Sequence, residues 1–467
     1  MTSPTEHVGR TFSQDDQLAF AALSGDYNPL HVDPLAARRS MFGEQVVHGV
    51  HTLLWALDVV VSERRTPFAI TEIRATFRRP IVLGQRVVAK VESSSDNRIV
   101  LSVDDGIRKS VSLEVRFQTQ GASSFRVPTL PLSRTPVALS FDEAERARGS
   151  LELSLDEALS ERLFPSLHAC LHRVQLAELL ASTRLVGMIC PGLCSIFNGL
   201  HLRSSEEHVA EPLLDWSVTN ANETYSVLAL AVRGPTLAGK LDAFYRPPAK
   251  PALSCAAIAA RMVPRVHAER RALVVGGSRG LGEAIAKAVA VGGGEVCVTW
   301  NRGEAEARDV VSEITSFGGR ASAMHLDVAN ARSFAPPFAP THLYYLATPF
   351  IRIEKGAGFD HALFDALMSC YVHGLDDVVR AVHRSVGGGF FACSPSTSLL
   401  STRPAGSSAY CVAKAAMEEL LAHLARDLKL TVSAPRLGRI ETDQTSSLLH
   451  IPAADRVDVA LEILRIG

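Results

Sequence analysis

The run Arg271-Ala272-Leu273-Val274-Val275-Gly276-Gly277-Ser278-Arg279-Gly280-Leu281-Gly282 leaves few folds open to the last part of this chain. A short apolar strand enters a glycine-rich turn, and Glu283 to Val291 then has helical character. Glycines at such a turn let the backbone come close to a pyrophosphate. The start of the helix adds unpaired N–H groups and the positive end of its dipole. Further signals follow in order: Glu295 to Thr299 reads as a second strand, His325-Leu326-Asp327-Val328 closes a third, and Tyr410-Cys411-Val412-Ala413-Lys414 comes much later. A doubly wound parallel α/β sheet is predicted for residues 269–467.

A chain of 467 residues has room for more than one domain. Residues 1–126 read as a first unit: an apolar helical stretch from Val50 to Val61, then strand-like runs at Ala69 to Arg79, Arg86 to Ser94, Ile99 to Asp104 and Ser110 to Gln118. A linker bearing Pro and Ser, Val127 to Pro136, follows. Residues 138–248 repeat the layout, with a helix at His172 to Val186 and strand-like runs at Ser195 to Leu202, Leu213 to Val218, Tyr225 to Val232 and Gly239 to Tyr245. The phrase Phe77-Arg78-Arg79-Pro80 is echoed by Phe244-Tyr245-Arg246-Pro247. One helix followed by antiparallel strands predicts an α+β fold for both units; an unrelated α+β spacer is the alternative for the second.

The chemistry of the first unit lies in Phe20-Ala21-Ala22-Leu23-Ser24-Gly25-Asp26-Tyr27-Asn28-Pro29-Leu30-His31-Val32-Asp33-Pro34. A Gly-Asp-x-Asn-Pro turn lets the Asp26 carboxylate and the His31 imidazole converge on one water, as adding water across a double bond requires. Alone, the turn could be an Asx-turn with a capping carboxylate. The whole run resembles the signature of the MaoC-like (R)-specific enoyl hydratases/dehydratases, and Val47-His48-Gly49 matches the opening of that family's buried central helix. The resemblance implies a hot-dog fold, trans-2-enoyl thioester substrates, Asp26 and His31 as the catalytic pair, and Asn28 and Gly49 on the substrate side. It also implies that residues 138–248 are a second hot-dog without catalytic residues, lining an acyl tunnel.

The third unit resembles the short-chain dehydrogenase/reductases. That likeness implies Tyr410 as the acid, with Lys414 one helical turn on and its charge lowering the phenol's pKa. A serine is expected just before, and Ser396 is taken over its rival Ser394. The implied cofactor contacts are Gly276, Ser278, Arg279, Gly280, Leu281, Gly282, Asn301, Arg302, Asp327, Val328 and Ala347, together with Tyr410 and Lys414. The second strand ends Thr299-Trp300-Asn301-Arg302 without a carboxylate, and Arg279 and Arg302 could pair with a 2′-phosphate, so NADP(H) is expected over NAD(H). Two departures stand out. Tyr345-Leu346-Ala347-Thr348 keeps only the alanine of the family's Asn-Asn-Ala-Gly, and Tyr371 stands where the family has an asparagine.

Composition narrows the setting. A formal net charge of −1 offers no footprint for nucleic acid or an anionic membrane. Met1 to Arg10 lacks the apolar core of a secretory signal. Leu185 to Leu200 comes nearest to a spanning segment but contains Pro191 and Asn198. Eight cysteines without a paired framework suggest a reducing cytoplasm. His168, Cys170, His172, Cys190 and Cys194 lack the spacing of common zinc sites, so no metal is expected. A homodimer is expected. Together the resemblances imply an acyl-thioester enzyme, on acyl carrier protein or coenzyme A, in which a 3-oxoacyl group becomes an (R)-3-hydroxyacyl group that the hydratase site interconverts with the trans-2-enoyl form.

Overall fold

Runs of β-branched residues that alternate buried and exposed positions pair into one long antiparallel sheet in the first part of the molecule. The computed structural model describes residues 8–64, 66–120, 126–205, 211–246, 252–351, 358–448 and 451–467. They fall into two compact units: Met1–Pro248 with Ser447–His450, and Ala249–Ser446 with Ile451–Gly467.

The strands of the first unit are β1 (Val8–Thr11), β2 (Phe68–Phe77), β3 (Arg86–Ser95), β4 (Arg98–Asp104), β5 (Lys109–Thr119), β6 (Arg148–Glu152), β7 (Ser195–Ser204), β8 (Leu213–Asn222), β9 (Val227–Arg233) and β10 (Leu237–Tyr245). Their order across the sheet is β1-β3-β4-β5-β2-β7-β10-β9-β8-β6, a palindrome with its centre at the β2–β7 seam. At that seam Glu72 faces Arg203 and Thr76 faces Gly199 in antiparallel register. Even a bulge is repeated, at Glu92 in β3 and Thr219 in β8. Each half wraps one helix, Gly49–Val60 in the first and Arg173–Arg184 in the second, and both helices are buried over most of their length. A single apolar core containing Phe20, Leu53, Ile73, Val115, Leu176 and Leu230 runs through both halves.

So the second half has the same hot-dog layout as the first. One expectation needs correcting. Phe77 ends β2, whose counterpart is β7, whereas Phe244 and Tyr245 end β10, whose counterpart is β5. The echoed phrase therefore does not mark equivalent positions, and its Pro247 lies outside the described residues. The short edge strands β1 and β6 were not legible in the sequence.

In the second unit β11 (Arg271–Val275), β12 (Glu295–Trp300), β13 (Arg320–His325), β14 (His342–Tyr345), β15 (Phe391–Cys393) and, after the two-residue β16 (Ser396–Thr397), β17 (Thr431–Ser433) are present. The main sheet is parallel in the order β13-β12-β11-β14-β15-β17, the doubly wound arrangement with its crossover between β11 and β14. β16 pairs separately with β18 (Arg436–Leu437). The C-terminal helix Arg456–Ile466 shares an apolar cluster with the helix Gly280–Val291, through residues such as Val457, Ala460, Ile285 and Val289. No helix among the described residues is long and apolar enough to cross a membrane.

Candidate active sites

The hydratase-like site begins with a helix end. Gln14–Ser24 is opened by a Ser13–Asp16 capping box and closed by Gly25 in the left-handed conformation (φ 77°), which only glycine adopts cheaply. That turn delivers Asp26 into the interior, where it is 2% exposed. Asn28 caps the next short helical turn, with Pro29 at its first position, and the turn brings His31 back toward Asp26. The ligand-type atoms of Asp26, His31 and His48 all lie within 4.8 Å of one another. His31 Nδ1 lies 2.7 Å from the Val46 carbonyl. Since a carbonyl only accepts, Nδ1 carries the proton and Nε2 keeps its lone pair.

His48 sits under His31, rings stacked at 3.9 Å, and its Nε2 donates to the Asp26 backbone carbonyl at 2.9 Å. With His31 Nδ1 and His48 Nε2 both committed to carbonyls, the trio is arranged for proton handling more than for holding an ion. The helix Gly49–Val60 starts at this point. A Cβ on Gly49 would lie 2.9 Å from the Phe77 ring, so glycine keeps the helix start narrow enough for that packing.

The second half, expected only to line a tunnel, supplies groups to the carboxylate itself. Thr183 Oγ1 donates to Asp26 Oδ2 (2.7 Å), and Asn28 Nδ2 donates to the carbonyls of Gly187 (2.9 Å) and Gly192 (3.0 Å). A Cβ on Gly187 would be 2.1 Å from Asp26 Oδ1, so that position closes over the carboxylate. Thr183 and Gly187 belong to the second buried helix and the π-helical turn Leu185–Ile189 that continues it. Burial pushes the Asp26 carboxyl up, against the pull of His31, Thr183 and the Asn28 N–H. Burial also depresses His31, opposed by Asp26 and the Val46 carbonyl. The two proton affinities are thus drawn toward each other, which suits a pair that passes a proton through one water.

In the second unit the turn Gly276 to Gly282 packs tightly. A Cβ at Gly282 would be 2.2 Å from the Gly276 carbonyl, and one at Gly276 would be 2.9 Å from the Ala347 nitrogen. Gly280 has φ 63°, and the helix it opens has no side-chain cap at Arg279, so its first N–H groups face the loop. This cradle fits the pyrophosphate of a dinucleotide. Ser278 and Leu281 are partly buried on its walls. Asn301 Nδ2 donates to Asp327 Oδ1 (3.4 Å), bringing the ends of β12 and β13 together beside the exposed Arg302, and Val328 follows Asp327 directly. Arg279 is less free than expected, since it pairs with Asp443 at 3.5 Å.

Tyr410 and Lys414 lie on the helix Ser408–Leu428. Lys414 Nζ donates to the Pro395 carbonyl (2.7 Å) and lies 3.9 Å from the centre of the Tyr371 ring. Tyr410 is raised by burial, with the Thr397 hydroxyl opposing. Burial takes Lys414 itself down to about 8. The hydroxyl that opposes the rise of Tyr410 is that of Thr397. The Ser396 hydroxyl, one residue earlier on β16, is buried without a hydrogen-bond partner, and Ser394 donates to the Met417 sulfur. Successive residues of a strand point to opposite sides, so a shift of one turns the hydroxyl away. Thr397, thirteen positions before Tyr410, carries its signal in that spacing. Tyr371 does enter the site: it is 2% exposed, bonds to Thr348 and lies edge-on to Tyr410 at 6.2 Å.

Comparison with known proteins agrees with both halves of this picture. Residues 2–115 match the family model for the MaoC like domain, and residues 270–338 that for short chain dehydrogenase. The (R)-specific enoyl-CoA hydratase of Aeromonas caviae is 32% identical over 119 residues, covering 25% of this chain and 81% of that protein. The mitochondrial 3-hydroxyacyl-[acyl-carrier-protein] dehydratase of Arabidopsis thaliana is 33% identical over 85 residues, 18% of this chain; the match spans only 50% of that protein's length. Versicolorin reductase 1 of Dothistroma septosporum is 29% identical over 199 residues, 40% of this chain and 75% of that protein. With the Asp26–His31 turn on a hot-dog sheet and the glycine cradle on a doubly wound one, this chain belongs to the MaoC-like hydratases/dehydratases by its N-terminal domain and carries a short-chain dehydrogenase/reductase domain C-terminally.

Proposed function

We propose that the chain is a bifunctional acyl-thioester enzyme, a hydro-lyase in its first unit and an NADP(H)-dependent 3-oxoacyl reductase in its second. The observation that carries the reading is the convergence of the Asp26 carboxylate and the bare His31 Nε2 beside the helix start at Gly49. In hydration, His31 Nε2 takes a proton from a water that Asp26 orients. The oxygen bonds to carbon 3 of the enoyl thioester, carbon 2 receives the proton, and helix N-terminal N–H groups near Gly49 stabilise the enolate-like oxygen between the two steps. Dehydration is the reverse.

NADP(H), when bound at the Gly276–Gly282 cradle, would supply the hydride for the second reaction. Tyr410 gives the carbonyl oxygen its proton, and Thr397 holds the phenol in place. Reduction to an (R)-3-hydroxyacyl thioester would yield the species that the first unit dehydrates, which supplies a chemical reason for one chain to carry both. Acyl carrier protein or coenzyme A is the carrier in this reading, with the protein a homodimer of the cytoplasm. Its eight cysteines are all free and buried, which suits a reducing compartment.

A second reading is favoured by one observation. The Lys414 ammonium lies over the ring of Tyr371, the residue that stands where the family has an asparagine, and this favours a nucleotide-binding domain without reductase activity. One experiment separates the two. Crotonyl and acetoacetyl thioesters of both carriers are offered with NADPH, and products are identified by mass. Asp26→Asn should lower hydration by roughly 10²–10⁴-fold while NADPH oxidation continues, and Tyr410→Phe should do the converse. Hydration at the wild-type rate by Asp26→Asn would sink the hydro-lyase assignment. NADPH that binds without ever being oxidised would leave the scaffold reading standing.

A further inference from the structure

Arg246 stands one position beyond β10, and the hydration chemistry above does not use it. Its backbone N–H donates to the Cys194 carbonyl (2.6 Å) and its Nη2 to the Leu193 carbonyl (2.9 Å). Its Nε is buried without a partner, and among the described residues no carboxylate pairs with the guanidinium. The loop it holds is the loop that receives Asn28: Nδ2 of Asn28 reaches the Gly192 carbonyl at 3.0 Å and Ser195 Oγ at 3.4 Å. Asn28 and His31 share one turn, so the loop that Arg246 holds adjoins the turn that carries the catalytic pair. It is near enough that its charge adds to the depression of His31.

A guanidinium partly withdrawn from water without a counter-charge is unfavourable, and a carboxylate answers it with a charge-assisted hydrogen bond. Asp26 does not serve as that partner. It is held by Thr183 and the Asn28 N–H, and it is needed at the water. Taking the hydratase reading as its basis, we propose that Arg246 seats a carboxylate borne on the acyl chain beside the carbon that receives water. The preferred substrates of the first unit are then monothioesters of short unsaturated dicarboxylic acids. The addition balances without any redox partner: the C=C π pair is consumed, an O–C bond forms at carbon 3, and the proton released by water is returned at carbon 2. A carboxylate attached to carbon 3 lies in the neighbourhood of His31, where Arg246 waits.

The test compares the coenzyme A monothioester of trans-butenedioic acid with crotonyl-coenzyme A on the full chain. Wild type should show the higher kcat/KM on the acid-bearing thioester. Arg246→Gln should lower the ratio of the two kcat/KM values by about ten- to a hundredfold, chiefly through KM, and Arg246→Lys should keep part of the preference. A wild-type preference for crotonyl-coenzyme A, or a ratio unmoved by both substitutions, overturns the proposal while leaving the hydratase standing. Hydration of neither thioester by wild type removes both. If Arg246→Gln does not fold, the wild-type preference and the lysine variant still decide.

Discussion

Thr183 is the side chain whose role was least visible in advance. Its hydroxyl reaches Asp26 across 157 positions of sequence, and nothing around it reads as a motif. The hydrogen bond favours the ionised carboxylate against burial, which pushes the other way. Thr183→Val keeps the shape and removes the donor. Hydration should then fall by about tenfold or more, and the acid limb of the pH–rate profile should move to higher pH, because Asp26 then takes a proton more readily. An unchanged profile would make Thr183 a packing residue only. A second residue pair can be separated in the same way. Thr397→Ala should lower NADPH-dependent reduction through kcat, whereas Ser396→Ala, on the other side of β16, should leave it close to wild type; initial rates on an acetoacetyl thioester decide. The closeness of Asp26 and His31 was legible because both lie within one turn. Thr183 and Gly187 were not, because they are brought in by tertiary packing alone.

The same contrast holds for whole elements. Long strands with a half-buried pattern, such as β4 and β9, and the apolar helices Gly49–Val60 and Arg173–Arg184 were readable to within a few residues, because burial imposes periodicity on them. The four-residue β1 and five-residue β6 were not, since an edge strand that short carries too few alternations to register. One buried element also carries a titrating group. Glu178, on the second of these helices, accepts from the Thr236 and Leu237 N–H groups (2.8 and 3.0 Å) and from the Thr236 hydroxyl, holding the turn between β9 and β10. Burial raises it from 4.5 to about 7 despite those donors. The folded state therefore keeps a proton that the unfolded chain releases above about pH 4.5. The resulting stabilisation is complete below that value and is lost as pH rises through about 7, a total of roughly 3 kcal/mol. Glu178→Gln should flatten this part of the stability curve and raise the denaturation midpoint at pH 8; a wild-type slope in the variant would place the titration elsewhere.

On the scale of the molecule, the fold class of both units follows from the sequence more directly than their chemistry does. Alternation, turn glycines and helix caps are local, and they agree with one another along nearly the whole chain. What the sequence conceals is cooperation between halves that look independent. The palindromic sheet, with its paired bulges and seam at β2–β7, is the geometry of two copies related by a twofold, joined here into one polypeptide. In an assembly of two identical chains every substitution appears twice, so a residue that improves one pocket must be tolerated at the mirror position as well. Covalent joining lifts that constraint. Thr183 and Gly187 can be shaped for Asp26, and Glu178 for the turn it holds, with no duplicate of either arrangement imposed on the opposite half. Drift in one half thus becomes raw material for the other.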